Sequence, residues 1–434
     1  MVDEQEGERT VKEIAGGVCA PRGFRAGGIR AGIKASSQKR DLALIYSEKP
    51  CASAAMFTTN RVQAASVLVS REHLARGGCR AVIANSGNAN ACTGEAGLAA
   101  ARRMAALAAE KLLIAGEEVA VASTGVIGLP LPIAVIEAGM DRLVRSLQGD
   151  TAGHDAALEG IMTTDTRKKD ISLEIEIRGV PVRLGGMVKG SGMIHPNMAT
   201  MLCFITTDTA ISAPLLDRAL RYGVSRTFNR LTVDGDTSTN DMVLIMANGE
   251  AGNPPINTGG DAFEAFQKAL EFLCLYLTRA MARDGEGAGK LLNVAVRGAA
   301  DEESAEVLAK SVAASNLVKA ACFGADANWG RVLCALGYAG VSFDPAAVDV
   351  RFASRRGTLL VCRGGAAVPF SEDEAKEILL EDEIWILVDL GGGNPAAGGE
   401  IRMPDPLNLG PGEAVAWGCD LTYDYVRING DYRS

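Results

Sequence analysis

The chain has 434 residues, of which 47% are hydrophobic and 22% charged, and its formal net charge is −9. That length is enough for a large buried core and two or three domains. The negative charge and the lack of a basic block argue against nucleic acid or an anionic membrane as a partner. No apolar run approaches the ~20 residues of a membrane span, and the acidic start lacks the features of a secretory signal. We therefore expect a cytoplasmic protein.

Cysteine and acidic residues are the candidates for a metal site. The ten cysteines are scattered without CxxC or histidine-flanked spacing, which predicts small buried hydrophobic side chains in a reducing compartment. Asp234, Asp236 and Asp241 are spaced like oxygen ligands of a cation. Their segment lacks the terminal glutamate and flanking helix of an EF-hand, which favours self-capping turns. We expect no metal and no cofactor.

The first 113 residues alternate short strands with turns. Residues 41–46 are predicted as a strand, and residues 53–61 as a strand with its turn. Residues 81–84 form a short buried strand that leads into an asparagine-rich stretch, 85–94. That stretch favours a polar loop whose side chains satisfy the backbone, with a pocket wall as the alternative. An alanine-rich helix is predicted over residues 97–113.

A strand at 119–122 runs into Thr124 and Gly125. The hydroxyl of Thr124 and the unhindered N–H of Gly125 are two donors suited to an oxyanion formed during acyl transfer, although by itself the segment is more typical of a turn. A helix at about 131–147 and a glycine-containing linker follow. The linker leads into a hydroxyl-rich segment that contains Thr163 and Thr164.

The segment that organises the chain is residues 189–202, KGSGMIHPNMATML, which follows a strand over 171–177 and its hairpin partner near 182–184. Glycine and serine lead into a His-Pro turn, which brings Thr200 to the start of an apolar run. A structural connection is the ordinary interpretation of such a loop. Alternatively, the hydroxyl attacks the preceding carbonyl, converts the Ala199–Thr200 amide to an ester, and leaves after hydrolysis a threonine with a free α-amine.

The rest of the chain is predicted as alternating helices and strands. Helices are expected at about 213–228, 261–283, 303–320 and 371–380, and strands at 231–234, 242–247, 291–296, 347–353, 357–362, 384–389 and 414–417. The alternating apolar and polar residues of the tail, 425–434, suggest that it docks rather than frays.

Residues 189–202 resemble the self-cleavage and active-site segment of the ornithine acetyltransferase family, also called glutamate N-acetyltransferase or ArgJ, and the resemblance extends from about Gly16 to Ser434. It implies an α/β fold with two sheets sandwiched between helices, similar to DmpA and the N-terminal-nucleophile enzymes, and a smaller α/β domain at about 300–434. It also implies self-cleavage into an α chain, 1–199, and a β chain, 200–434, assembled as an α2β2 heterotetramer.

The resemblance implies a ping-pong transfer of an acetyl group from N-acetylornithine to glutamate through an ester on Thr200. It assigns the oxyanion to Thr124 and Gly125. Substrate contacts are implied for Thr163, Lys189, Thr200, Glu286, Asn429 and Ser434. Thr163 is chosen over Thr164, and Ser434 keeps the hydroxyl of the terminal threonine of the family but not its methyl group. Some members also use acetyl-CoA as a donor, which these residues leave open.

Two other functions remain at this point. The first is a self-processing aminopeptidase on a related fold, which hydrolyses its acyl-enzyme with water. The second is an amino-acid-binding protein without activity, although such a protein would not need Thr200, Thr124 and Gly125 together.

Overall fold

The computed structural model describes residues 11–34, 37–195, 201–391 and 403–430. The chain divides into two compact units. The first comprises Met1–Gly190, Asn197–Phe228 and Thr237–Leu277, and the second comprises Ser191–Pro196, Asn229–Asp236 and Thr278–Ser434.

The helices and strands of the first unit are as follows. The strands are β1 (Lys12–Ile14), β2 (Phe24–Ile29), β3 (Leu42–Ser47), β4 (Ala52–Phe57), β5 (Ala81–Asn88), β6 (Val119–Val126), β7 (Asp170–Ile177), β8 (Val180–Lys189), β9 (Leu202–Thr207) and β10 (Met242–Ala247). The helices are α1 (Ala65–Leu74), α2 (Gly94–Leu112), α3 (Ile133–Arg145), α4 (Thr151–Ile161), α5 (Ala213–Arg226) and α6 (Asp261–Arg283), the last of which extends past the boundary at Leu277.

Two sheets form the first unit. One has the order β1-β7-β8-β9-β10-β4, with β9 and β10 parallel, and the other has the order β2-β3-β5-β6, with β5 and β6 parallel. Their apolar faces share one core, to which Phe204 of β9 and Phe24 of β2 contribute. Helices cover the outer faces: α1, α2 and α3 pack on the smaller sheet, and Leu273 of α6 lies against Gly186 of β8. The predicted α/β class is confirmed.

Helix α4 occupies part of the segment predicted as a glycine-containing linker, so that prediction was wrong. Asp150 caps the helix by accepting the N–H of Gly153 at 3.0 Å. A Cβ on Gly153 would lie 2.5 Å from the carbonyl oxygen of Ala26, and one on Gly160 would lie 3.0 Å from the side chain of Ala43. Both glycines are therefore positions of close helix-to-strand packing rather than breaks in structure.

The second unit has a sheet of its own. Its strands are β11 (Leu291–Arg297), β12 (Asp349–Ser354), β13 (Gly357–Arg363), β14 (Ala366–Ala367), β15 (Glu383–Asp389) and β16 (Ala414–Cys419), in the order β14-β13-β12-β15-β11-β16. Its helices are α7 (Glu302–Ala314), α8 (Asn316–Phe323), α9 (Trp329–Gly337), α10 (Glu372–Leu379) and α11 (Tyr423–Gly430). Strands β11 and β15 are parallel, and one apolar core joins the sheet to α7, α8, α9 and α10.

Three local predictions for this unit differ from the structure. The single helix expected over 303–320 divides at Ser315, whose hydroxyl caps the second helix by accepting the N–H of Val318. The strand expected at 231–234 is reduced to an isolated bridge between Leu231 and Trp417. The tail, whose residues alternate between apolar and polar, forms the helix α11 as far as Gly430.

The helices and the cysteines of the described residues bear on the membrane and thiol predictions. Within them, none of the helices combines the length and apolar character needed to cross a bilayer. Eight of the ten cysteines are buried, as expected, whereas Cys92 and Cys334 are exposed.

Candidate active site

Thr124 and Gly125 lie within β6, so the alternative of a turn is wrong. Gly125 pairs with Gly87 of β5, and its φ is +134°. A Cβ at Gly125 would lie 2.4 Å from the carbonyl carbon of Gly87 and 2.5 Å from the nitrogen of Asn88. The two strands approach so closely here that only glycine fits.

Of the stretch predicted as a loop, Asn85 and Asn88 lie in β5, whereas residues 89–93 do form a loop. The asparagine side chains satisfy the backbone, as expected. Asn85 donates to the carbonyl of Asn88 at 2.8 Å and accepts the hydroxyl of Ser123 at 2.7 Å. Asn240 donates to the carbonyl of Ser123 at 2.8 Å. Asn85 and Asn240 are both buried, and their bonds to the hydroxyl and the carbonyl of Ser123 hold the residue immediately before Thr124.

Lys189 ends β8 and reaches Thr124 across the first unit. Its Nζ donates to Thr124 Oγ1 at 3.2 Å, and the lysine is only 9% exposed. An ammonium group can only donate, so the oxygen of Thr124 is the acceptor in this bond. The hydroxyl hydrogen of Thr124 is therefore left to donate to another acceptor. Two predicted site residues that lie 65 positions apart in the chain are thus in contact.

Thr163 is connected to the same region through Asp165. Oδ2 of Asp165 accepts the N–H of Thr163 at 2.9 Å, and Oδ1 accepts the N–H of Gly190, next to Lys189, at 2.7 Å. Burial by itself would raise the pKa of Asp165, but the ammonium groups of Lys189 and Lys169 hold it below the ordinary range. Thr163 and Thr164 are both half-buried, so burial does not choose between them.

The second unit brings Glu286 and Asn429 together. Nδ2 of Asn429 donates to Oε2 of Glu286 at 2.8 Å, and the N–H of Glu286 donates to the carbonyl of Ser191 at 2.8 Å. Glu286 is 7% exposed, and a Cβ on Gly192 would lie 2.1 Å from its carboxylate. Gly192 is therefore a position of close approach, and Glu286 is a buried carboxyl group rather than an exposed one.

Asp234 caps its own segment, as predicted, because it accepts the N–H of Asp236 at 3.3 Å. It also caps a second segment, which the sequence did not indicate. It accepts the N–H groups of Met193 at 2.6 Å and Ile194 at 2.8 Å, and Met193 has a φ of +54°. The hydroxyl of Tyr425 also donates to Asp234, at 3.3 Å. In the described ranges no group of three or more His, Cys, Asp or Glu side chains is arranged to hold a metal ion.

Ala199, Thr200 and Ser434 lie outside the described residues. The chain joins the larger sheet directly after Thr200, because the carbonyl of Met201 accepts the N–H of Met242 at 2.9 Å. Leu202 then pairs with both Lys189 and Met242. The apolar run predicted after Thr200 is therefore a central strand of the larger sheet.

Comparison with known proteins gives the family. Residues 25–434 match the ArgJ family along nearly the whole chain. The chain belongs to the ArgJ family. This membership confirms the resemblance found in residues 189–202, and with it the predicted class of enzyme, an acyltransferase that acts on small molecules.

Curated relatives of this ArgJ-family chain match it over nearly the whole of both chains. The arginine biosynthesis bifunctional protein ArgJ of Symbiobacterium thermophilum is 52% identical over 97% of this chain and 99% of its own length. The protein of the same name from Caldanaerobacter subterraneus is 48% identical, with the same coverage. A solved ornithine acetyltransferase from Mycobacterium tuberculosis, complexed with ornithine, is 42% identical and covers 44% of this chain and 100% of its own, with a TM-score of 0.40.

Proposed function

We propose that this chain transfers the acetyl group of N-acetyl-L-ornithine to L-glutamate through an ester on Thr200, after cleaving itself between Ala199 and Thr200. The observation that carries the proposal is the Lys189–Thr124 hydrogen bond, which leaves the hydroxyl of Thr124 as a donor directly beside a buried ammonium. A donor and a cation at one point suit an oxyanion and an α-carboxylate.

In the first half-reaction, Oγ of Thr200 attacks the acetyl carbonyl and the α-amine of Thr200 takes its proton. The reference pKa of an α-amine, ~7.7–8.0, suits a base near neutral pH better than that of lysine, ~10.4. Thr124 and the N–H of Gly125 stabilise the oxyanion. The bond between the acetyl carbon and nitrogen then breaks, the proton passes to that nitrogen, and ornithine leaves acetyl-Thr200 behind.

In the second half-reaction, the α-amine of glutamate attacks the ester, and N-acetylglutamate leaves with Thr200 regenerated. Ornithine and glutamate share an α-carboxylate and an α-nitrogen, so one set of contacts serves both half-reactions. We assign these contacts to Lys189, Thr163, Glu286, Asn429 and Ser434. Glu286 suits a cationic or hydrogen-bond-donating nitrogen because it is a buried carboxyl group that already accepts an N–H of Asn429.

The test combines mass spectrometry with an acetyl-transfer assay. Purified wild-type protein should give two fragments divided between Ala199 and Thr200. Thr200→Ala should stay one chain without activity, whereas Thr200→Ser, which keeps a hydroxyl and an α-amine, should still cleave. Transfer of acetyl groups by an intact wild-type chain would falsify the scheme, and peptide hydrolysis without acetyl transfer would instead favour the aminopeptidase.

Three further properties belong to this proposal: an α2β2 assembly of the two fragments, a cytoplasmic location, and a cycle that needs no cofactor. Sedimentation of the cleaved protein tests the first, and fractionation of cells that produce it tests the second. Formation of N-acetylglutamate from acetyl-CoA, measured with and without N-acetylornithine, decides whether acetyl-CoA is a second donor.

A further inference from the structure

The peptide group between Met162 and Thr163 is held at both ends by charged side chains. Nζ of Lys34 donates to the carbonyl of Met162 at 2.7 Å. Oδ2 of Asp165 accepts the N–H of Thr163 at 2.9 Å. The carbonyl and the N–H belong to one planar peptide unit, so the two bonds together fix its orientation. Hydrogen bonds to charged groups are the stronger kind, which makes this a firm attachment.

Each of the two charged residues is itself anchored. Asp165 is 5% exposed, and its other oxygen accepts Nζ of Lys169 at 2.6 Å and the N–H of Gly190 at 2.7 Å. The backbone N–H of Lys34 donates to Oδ2 of Asp41 at 3.0 Å, and Asp41 is fully buried. The peptide group is thus attached to residues that cannot easily move.

The side chain of Lys34 also packs next to the strands that carry Thr124 and Gly125. Its Cγ lies 2.7 Å from the position that a Cβ on Gly87 would occupy, and Gly87 is the residue that pairs with Gly125. A side chain at position 87 would therefore push Lys34 away. Gly87, with a φ of +98°, leaves room for it.

Lys34 lies in a mixed electrostatic environment. Burial lowers its pKa to about 8, the carboxylates of Asp41 and Asp165 oppose that change, and the ammonium groups of Lys189 and Lys39 add to it. In the described part of the chain both hydrogen bonds of its ammonium go to backbone carbonyls, those of Met162 and, at 3.3 Å, Arg40. Its hydrogen bonds therefore hold backbone, not another side chain.

We propose that Lys34 and Asp165 are positioning residues for amino-acid recognition, which hold the Met162–Thr163 peptide so that the Thr163–Thr164 segment keeps a fixed place relative to Lys189. The connection runs through Asp165, which bonds both Thr163 and the residue after Lys189. The inference rests on the proposed function for the identity of the ligand, an α-amino acid with a free α-carboxylate. Neither residue needs to touch that ligand, and neither was among the site residues expected from the sequence.

The experiment compares Lys34→Met, Lys34→Arg and the matched control Lys39→Met. Methionine keeps the length of the side chain but loses the donor, whereas arginine keeps the donor. Lys39 is an exposed lysine of the same segment and makes no side-chain hydrogen bond in the described part of the chain. Calorimetry measures the Kd of L-ornithine and L-glutamate for each protein, and the acetyl-transfer assay measures KM and kcat.

Loss of the charged hydrogen bond should raise Kd and KM about tenfold in Lys34→Met, with kcat and self-cleavage near wild type. Lys34→Arg should restore both constants to within about threefold, and Lys39→Met should behave as wild type. A merely structural role would lower the yield of folded protein and self-cleavage instead of separating KM from kcat. Unchanged Kd and KM in Lys34→Met would overturn the inference.

A second measurement does not depend on Lys34→Met folding. The ammonium of Lys34 loses its charge above about pH 8, so the Kd of the wild type for L-glutamate should rise there by several-fold. In Lys34→Arg, which stays charged, that rise should move to higher pH. Identical pH profiles for the two proteins would contradict the inference. Binding is measured directly, so the two proposals can fail separately. A wild type that binds glutamate without transferring acetyl groups refutes the proposed function, while the Kd values still test the positioning role of Lys34.

Discussion

Substitution of Gly125 by alanine tests the close approach of β5 and β6. The new Cβ would lie 2.4 Å from the carbonyl carbon of Gly87 and 2.5 Å from the nitrogen of Asn88, both of which are backbone atoms that cannot rotate away. A side chain at a φ of +134° adds strain of about 1–3 kcal/mol, and forcing the strands apart adds about 1–3 kcal/mol. We therefore expect a destabilisation of about 2–6 kcal/mol.

Gly128→Ala is the matched control. Gly128 follows β6, has a φ of +84°, and would bring its Cβ into open space. Only the backbone strain applies there, so the expected cost is about 1–2 kcal/mol. Urea denaturation followed by circular dichroism measures both variants.

Gly125→Ala should also lose more activity than Gly128→Ala. Displacement of the Gly125 N–H should lower kcat by about 10²–10³-fold, as for loss of one oxyanion donor, while Gly128→Ala should stay close to wild type. If Gly125→Ala unfolds at the same urea concentration as Gly128→Ala and retains its kcat, the strands can separate at little cost and the steric reasoning is wrong.

Three further predictions concern buried charge and thiols. Asp165→Asn should destabilise the protein by about 3–5 kcal/mol near neutral pH, because it removes the carboxylate that pairs with the buried Lys169. The pKa of Asp165 is lowered in the native state, so the destabilisation should shrink in thermal melts performed below pH 3.8, the ordinary pKa of the group. A destabilisation that does not change with pH would argue against the ion pair. Burial raises the pKa of Asp241 well above 3.8, so the native state favours the protonated form and wild-type stability should fall as pH rises from 3.8. Asp241→Asn should remove this fall in stability with pH. Curves of stability against pH that run parallel for the two proteins would show that Asp241 is ionised in the folded protein. An aromatic disulfide reagent should label Cys92 and Cys334 quickly in the native protein and the other eight thiols only after denaturation. A variant with serine at both positions is the control. Rapid labelling of more than two thiols in the native wild type would contradict the burial of the other eight.

Much of the fold follows from local patterns in the sequence. The alternation in residues 171–177 and the apolar run over 242–247 correspond to β7 and β10, and the long amphipathic stretch from 261 to 283 is α6. Predictions went wrong where glycine and asparagine were interpreted as loop residues. Asn85 lies inside β5 and Gly153 inside α4, because the same residue types serve close packing and backbone hydrogen bonding within regular elements.

The amino-acid sequence by itself determined the family, through a segment of fourteen residues around Thr200 and matching residues along the chain. Tertiary structure decided which of those residues meet. Thr124 and Lys189 are 65 positions apart, and Lys34 and Met162 are 128 positions apart, yet each pair shares a hydrogen bond. Such contacts depend on the order of strands and the packing of two sheets on one core, which no local pattern encodes, and they turn separate polar residues into one connected site in the first unit.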